Sequence, residues 1–193
     1  MTLDANRPDL VLGVIGTGAM GRGIAQVAAG GGMQVLMTDA RPGAAQDALD
    51  FIAKMFARAA EKGVMTQDEA AAAAKRIRIV SGPADMKACH AVIEAIVENL
   101  EAKQQLFAEL EQAVSPDCIL ATNTSSLSVT TIASKLKTPQ RFAGFHFFNP
   151  VPLMKLVEVI DGLQTENWVS EALMVIGKRM TREPVRLTDA PGF

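Results

Sequence analysis

The six residues Gly16-Thr17-Gly18-Ala19-Met20-Gly21 constrain this chain more than any others, because they join two stretches of different periodicity through a turn that only glycine tolerates. Before them, residues 10–15 form a short apolar run of strand character. After them, residues 19–30 place Met20, Ile24, Val27 and Ala28 on one helical face. The turn fits the spacing GxGxxG, whose glycines serve separate ends: a tight turn, close approach of backbone to a pyrophosphate, and close packing of helix on strand. Gly30-Gly31-Gly32 then stops the helix, and a second strand is expected over residues 34–39. Asp39 closes that strand 21 residues after Gly18, where a ribose-binding carboxylate belongs. Gly16, Gly18, Ala19, Met20, Gly21 and Asp39 therefore form the expected dinucleotide site, with phosphates on the helix N-terminus. The alternative is a packing turn with a solvated Asp39, which requires strand, helix and acid to coincide by chance. A carboxylate at the ribose favours NAD over NADP, because it would repel a 2′-phosphate; Arg41, two residues on, works slightly against this.

Residues 42–62 and 67–75 are alanine-rich and helix-favouring. Thr66 is placed to cap the second stretch with Glu69 at its third position, so a helical hairpin is expected over about 42–75. Short β-branched or aromatic runs at 77–80, 91–96, 118–121, 141–145 and 156–160 read as strands, and Leu100, Phe107, Leu110 and Val114 mark an amphipathic helix between two of them. Strands alternating with helices define an α/β fold, a doubly wound, Rossmann-type and mainly parallel sheet carrying the hairpin as an insertion. With 193 residues, 49% of them hydrophobic, residues 1–193 are read as one domain. The 19 basic and 21 acidic side chains show no cluster of one sign, which argues against nucleic acid as partner. MTLDANRPDL resembles neither a signal nor a transit peptide, and no apolar run approaches the ~20 residues of a membrane span. A cytoplasmic protein without a membrane partner is expected. Cys89 and Cys118 lie in no metal-ligand pattern and read as reduced core residues, so no metal site is expected.

Two histidines are present, and their settings differ. His90 reads as a surface or packing residue. His146 follows residues 142–145 and opens His146-Phe147-Phe148-Asn149-Pro150-Val151-Pro152, where the prolines end regular structure. In doubly wound sheets ligands bind at the carboxyl ends of strands, and imidazole is the side chain best suited to proton transfer near neutrality. Glu158 interrupts Leu156-Val157-Glu158-Val159-Ile160 on the face of Leu156 and Ile160. A carboxylate there needs a partner, and a histidine twelve residues away on the adjacent strand supplies one, holding the imidazole in one tautomer. The bland alternatives are a histidine satisfied among aromatics and a glutamate on a water-facing sheet surface. Thr122-Asn123-Thr124-Ser125-Ser126 lies at another strand end, where turn and capping chemistry competes with a role in the crevice.

Taken together, GTGAMGRGIAQVAA, AIVENLEAKQQLF, ATNTSSLSV and FAGFHFFNPVPLMKLVEVI resemble the L-3-hydroxyacyl-CoA dehydrogenase family in order and spacing, across residues 11–193. The resemblance implies reversible NAD-dependent oxidation of a (3S)-3-hydroxyacyl-CoA to the 3-oxoacyl-CoA, as in fatty-acid β-oxidation. His146 would be the general base or acid and Glu158 would orient it. Ser125 would contact substrate and nicotinamide, while Glu98, Lys103, Asn123 and Asn149 would hold the cofactor. Lys54, Arg58 and Lys62 share one helix face, and the resemblance puts Lys62 near a CoA-contacting lysine, although the neighbouring family serine is Met55 here. Family members continue past Pro191-Gly192-Phe193 into a helical C-terminal domain that forms a homodimer and part of the acyl pocket. That domain is absent from this chain, which is therefore expected to bind NAD but to turn over acyl-CoA poorly alone. Two rivals stand: a β-hydroxyacid dehydrogenase of the hydroxyisobutyrate or 6-phosphogluconate type, and a non-enzymatic NAD-binding module.

Overall fold

Alternation within the strands decides which helices cover each side of the sheet. In the computed structural model of the chain, which describes residues 2–191, the elements run β1 (Val11–Ile15), α1 (Ala19–Gly30), β2 (Gln34–Thr38), α2 (Ala44–Glu61), α3 (Gln67–Lys75), β3 (Ile77–Ile79), β4 (Ala91–Glu94), α4 (Leu100–Ala113), β5 (Ile119–Thr122), α5 (Val129–Ala133), β6 (Phe142–Phe147), β7 (Leu156–Asp161), α6 (Asn167–Arg179) and β8 (Glu183–Thr188). Leu12 and Val14 of β1 turn to one face, where Ile24 and Ala28 of α1, Ile52 and Phe56 of α2 and Leu173 of α6 join them. Ile15 turns to the other face and packs in the cluster of Phe107 and Leu110 from α4 and Ile132 from α5. Each of these leucine, isoleucine, valine and phenylalanine side chains, when fully buried, stabilises the fold by ~1.5–3 kcal/mol before entropy is counted.

The eight strands form one sheet in the order β3-β2-β1-β4-β5-β6-β7-β8. Strands β1 to β6 are parallel to their neighbours, β7 runs antiparallel to β6, and β8 is parallel to β7. The chain winds outward from β1 in one direction and from β4 in the other, so their carboxyl ends open a crevice at the switch point. The hairpin is inserted as expected: Thr66 and Glu69 exchange both hydrogen bonds of a capping box, at 3.1 and 2.9 Å.

Differences from the sequence reading have local causes. β6 continues through His146 and Phe147 because β7 pairs with both residues, and the proline at 150 restrains only its neighbour Asn149. β2 stops at Thr38, leaving Asp39 just beyond its end. Helices α5 and α6 and strand β8 are additions. Asp189 accepts hydrogen bonds from the Ser128 hydroxyl and the Thr130 amide at 2.8 and 2.9 Å, holding the start of α5 from 61 residues away. Gly192 and Phe193 of the terminal motif lie outside the described residues. Among the described residues no helix is long and apolar enough to cross a membrane. Cys89 and Cys118 are free and buried, and burial pushes the Cys89 thiol up to about 12.

His90 proves to be a structural acceptor, with Nδ1 taking the Val11 amide proton at 2.9 Å at the start of β1. Burial and, after it, the Arg7 charge lower its pKa below the usual histidine value, against a raising effect of Asp9. The neutral ring is thus favoured in the fold. Its stabilising contribution is complete above the unfolded value, about 6.5, and is lost as pH falls through the lower folded value. Denaturant titrations should therefore find the chain about 0.5–1.5 kcal/mol more stable than His90→Ala at pH 8, the worth of one such hydrogen bond. The gap should narrow as the pH approaches 5. A gap that is constant or widens toward acid would contradict the acceptor role.

Candidate active site

The glycine turn is shaped by its neighbours at two positions and left open at a third. Gly16 has φ +94°, and a Cβ there would lie 2.5 Å from the Ala95 carbonyl oxygen. A Cβ on Gly21 would lie 1.6 Å from the Gly16 carbonyl oxygen, so α1 could not sit so close to β1. Around Gly18, by contrast, no atom beyond its immediate chain neighbours comes within 4 Å of that position. The fold itself does not need glycine there. The open cradle, with no side chain capping the first turn of α1, fits a phosphate approaching backbone N–H groups. Asp39 is tied to this turn: the Thr17 amide and hydroxyl donate to its Oδ2 at 2.8 and 2.9 Å. Arg41 covers the same carboxylate through its amide and guanidinium. Burial alone would raise the Asp39 pKa, but hydrogen bonds from Arg41 and Thr17 outweigh it and hold the group well below the usual range.

A cleft of about 380 Å³ lies along the carboxyl ends of the central strands, lined by Met20 of α1, Glu98, Lys103, Asn123, Ser125, His146 and the segment from Phe147 to Asn149. His146 and Glu158 face each other directly across the antiparallel β6–β7 pair, on the α4 and α5 side of the sheet. Their Nδ1 and Oε2 atoms are 3.0 Å apart, and each side chain keeps 14% of its surface exposed. The ring of Phe148 leans on the imidazole at 4.6 Å. Asn123 Oδ1 accepts the Phe147 amide at 2.8 Å, fastening the end of β5 to the end of β6 beside the histidine.

Beneath the cleft lies a polar cluster. Glu98 accepts the Thr124 hydroxyl at 2.6 Å and faces the Ser125 amide and hydroxyl at 3.2 and 3.4 Å. Burial raises its pKa, yet these bonds and the nearby Lys103 charge prevail and lower it. Lys103 is itself buried and pairs at 2.5 Å with Glu94, a fully buried carboxylate on β4. The structure thus gathers Met20, Glu98, Lys103, Asn123, Ser125, His146 and Asn149 at one cleft, next to the glycine turn and Glu158. Asp39 stands beside the turn outside that lining. Lys62 is exposed at the C-cap of α2, on the hairpin, and does not line the cleft. Glu94 and its donor Thr122 are additions to the predicted set. The signal was present, since Glu94 ends an apolar strand just as Glu158 interrupts one.

Crevice and glycine turn define a dinucleotide-binding α/β domain, with a histidine and glutamate paired at its cleft. The chain belongs to the family of the 3-hydroxyacyl-CoA dehydrogenase NAD-binding domain, whose model matches residues 11–190, and its cofactor is NAD. It is 45% identical over 180 residues to a probable 3-hydroxybutyryl-CoA dehydrogenase of Bacillus subtilis, covering 93% of this chain and 63% of that protein. It is 44% identical over 180 residues to the 3-hydroxyadipyl-CoA dehydrogenase of Escherichia coli, covering 93% of this chain and 38% of that protein. The crystal structure of a 3-hydroxybutyryl-CoA dehydrogenase from E. coli superposes with a TM-score of 0.93 at 43% identity, over 96% of this chain and 39% of that one. The chain thus spans less than two thirds of these relatives.

Proposed function

We propose that this domain carries the hydride- and proton-transfer chemistry of an NAD-dependent (3S)-3-hydroxyacyl-CoA dehydrogenase, interconverting the 3-hydroxyacyl-CoA and its 3-oxo form. The observation that carries the reading is the 3.0 Å contact between His146 and Glu158 at the cleft beside the glycine turn. With Nδ1 committed to Glu158, Nε2 is the nitrogen that exchanges a proton with the substrate's C3 oxygen. Glu158 fixes the ring in its plane and offsets the positive charge that the ring acquires. Bound NAD supplies the hydride acceptor. Gly18 and the first turn of α1 hold its phosphates, Asp39 its ribose, and Asn123, Asn149, Glu98 and Lys103 the end nearest the chemistry. Ser125 is assigned to the substrate and nicotinamide, and Lys62 to the CoA moiety on the exposed face of α2. The whole chain acts as one catalytic domain with the hairpin inserted, in the cytoplasm. The names of its relatives, which act on 3-hydroxybutyryl-CoA and 3-hydroxyadipyl-CoA, support the acyl-CoA class.

Acetoacetyl-CoA mixed with NADH and followed at the NADH absorbance band tests this directly. Consumption of NADH, with a lower kcat/KM for NADPH, is the expected result. Consumption with hydroxyisobutyrate-type substrates instead would favour a β-hydroxyacid dehydrogenase, and NADH bound without turnover, even when the further domain that these relatives carry is supplied, would favour a non-enzymatic module.

A further inference from the structure

Two carboxylates compete for one ammonium beneath the cleft. Lys103 Nζ lies 2.5 Å from Glu94 Oε2 and 3.6 Å from Glu98 Oε1. Glu94 holds the stronger position because the Thr122 hydroxyl and the Ile96 amide fix its carboxylate at 2.6 and 2.8 Å, and because it is 0% exposed. A buried ion pair secured in this way resists exchange, since either charge left alone there would be costly. Glu98 is consequently left with its oxygens directed at Thr124 and Ser125. Thr124 in turn accepts the Leu127 amide at 3.0 Å, so the turn that presents Ser125 to the cleft hangs from Glu98.

We propose that Glu94 is a positioning residue: by retaining the Lys103 ammonium it keeps Glu98 on Thr124 and Ser125, and so fixes the Ser125 turn in the cofactor cleft. The functional weight of that turn rests on the reading of Ser125 given above, whereas the positioning itself is a property of this chain's own residues. Removing the Glu94 charge frees Lys103 to move the short distance to Glu98 and draw it off the turn. Removing both charges leaves Glu98 with no ammonium to follow, and the turn is restored.

The test is amide hydrogen exchange over residues 123–127 in the chain without cofactor, accompanied by NADH titration. Glu94→Gln should speed exchange there roughly ten- to a hundredfold, the worth of one or two charge-assisted hydrogen bonds, and should weaken NADH binding. The double substitution Glu94→Gln/Lys103→Met should return exchange in this turn to nearly the parent rate, a rescue that a purely structural loss would not give. Should the single variant not fold, Glu94→Asp keeps the charge on a shorter arm and should give an intermediate acceleration. Parent-like exchange in the single variant, or no slowing in the double one, overturns the proposal. A parent chain that binds no NADH would count against the functional reading instead, because the exchange comparison is made without cofactor.

Discussion

Glutamine in place of His146 is expected to lower kcat for acetoacetyl-CoA reduction by about 10²- to 10⁴-fold, the usual worth of a positioned general acid or base. NADH affinity should stay near that of the parent. Position 146 lies within β6, and the backbone pairing of 146 with 158 does not depend on the side chain. Glutamine can still hydrogen-bond to Glu158, so the sheet and cleft persist, but an amide neither takes nor gives a proton at neutral pH. The glycine turn proposed to hold the dinucleotide is formed by other residues. Steady-state rates combined with NADH fluorescence titration separate the two quantities. An unchanged kcat would remove His146 from the chemistry.

Valine at position 18 should cost at least about a hundredfold in NADH affinity, as phosphate loses charge-assisted hydrogen bonds each worth ~1.5–3 kcal/mol, while the melting temperature hardly moves. Gly18 has φ −66°, a conformation open to any residue, and nothing beyond its immediate chain neighbours lies within 4 Å of its missing Cβ. The fold therefore accepts the substitution, and the new side chain occupies only the cradle over the first turn of α1. Valine at position 21 should behave in the opposite way, because its Cβ would collide with the Gly16 carbonyl at 1.6 Å. Forced overpacking typically costs about 1–3 kcal/mol and sometimes more. Calorimetry with NADH titration on both variants distinguishes a glycine required by the ligand from one required by the fold. Parent-like NADH binding by Gly18→Val would show that the turn does not hold the phosphates.

Elements governed by local rules were legible in the sequence. The bounds of α1 follow from the glycines at either end and its apolar face, and the start of α3 follows from the Thr66 and Glu69 exchange. α6 carries an ordinary signal, with Val169, Leu173 and Ile176 on one buried face. α5 has a local cap, the Ser128 hydroxyl accepting the Thr131 amide, but its five residues are too few to show a period, and its first turn is also held by Asp189 from beyond β8. In the site, Glu158 announced itself as a charge within an apolar strand, and its partner lay across a single turn of chain. Glu94 posed the same question, but its answer, Lys103, sits on the following helix, where a lysine looks like any solvated one until the helix is docked. Asp39 was legible as the acid after β2. Its contact with Arg41 is local, two residues along the chain, but its engagement by Thr17 arises only when the turn folds back on the strand end.

The pair proposed to handle the proton, His146 and Glu158, belongs to the sheet rather than to a loop. Residues 148–155 connect β6 to β7, and Leu153 within them is 75% exposed. Laboratory libraries can therefore lengthen or diversify the outer part of that connection, keeping Asn149, while the β6–β7 ladder holds positions 146 and 158 opposite each other. The connection and the proposed proton pair become separately adjustable.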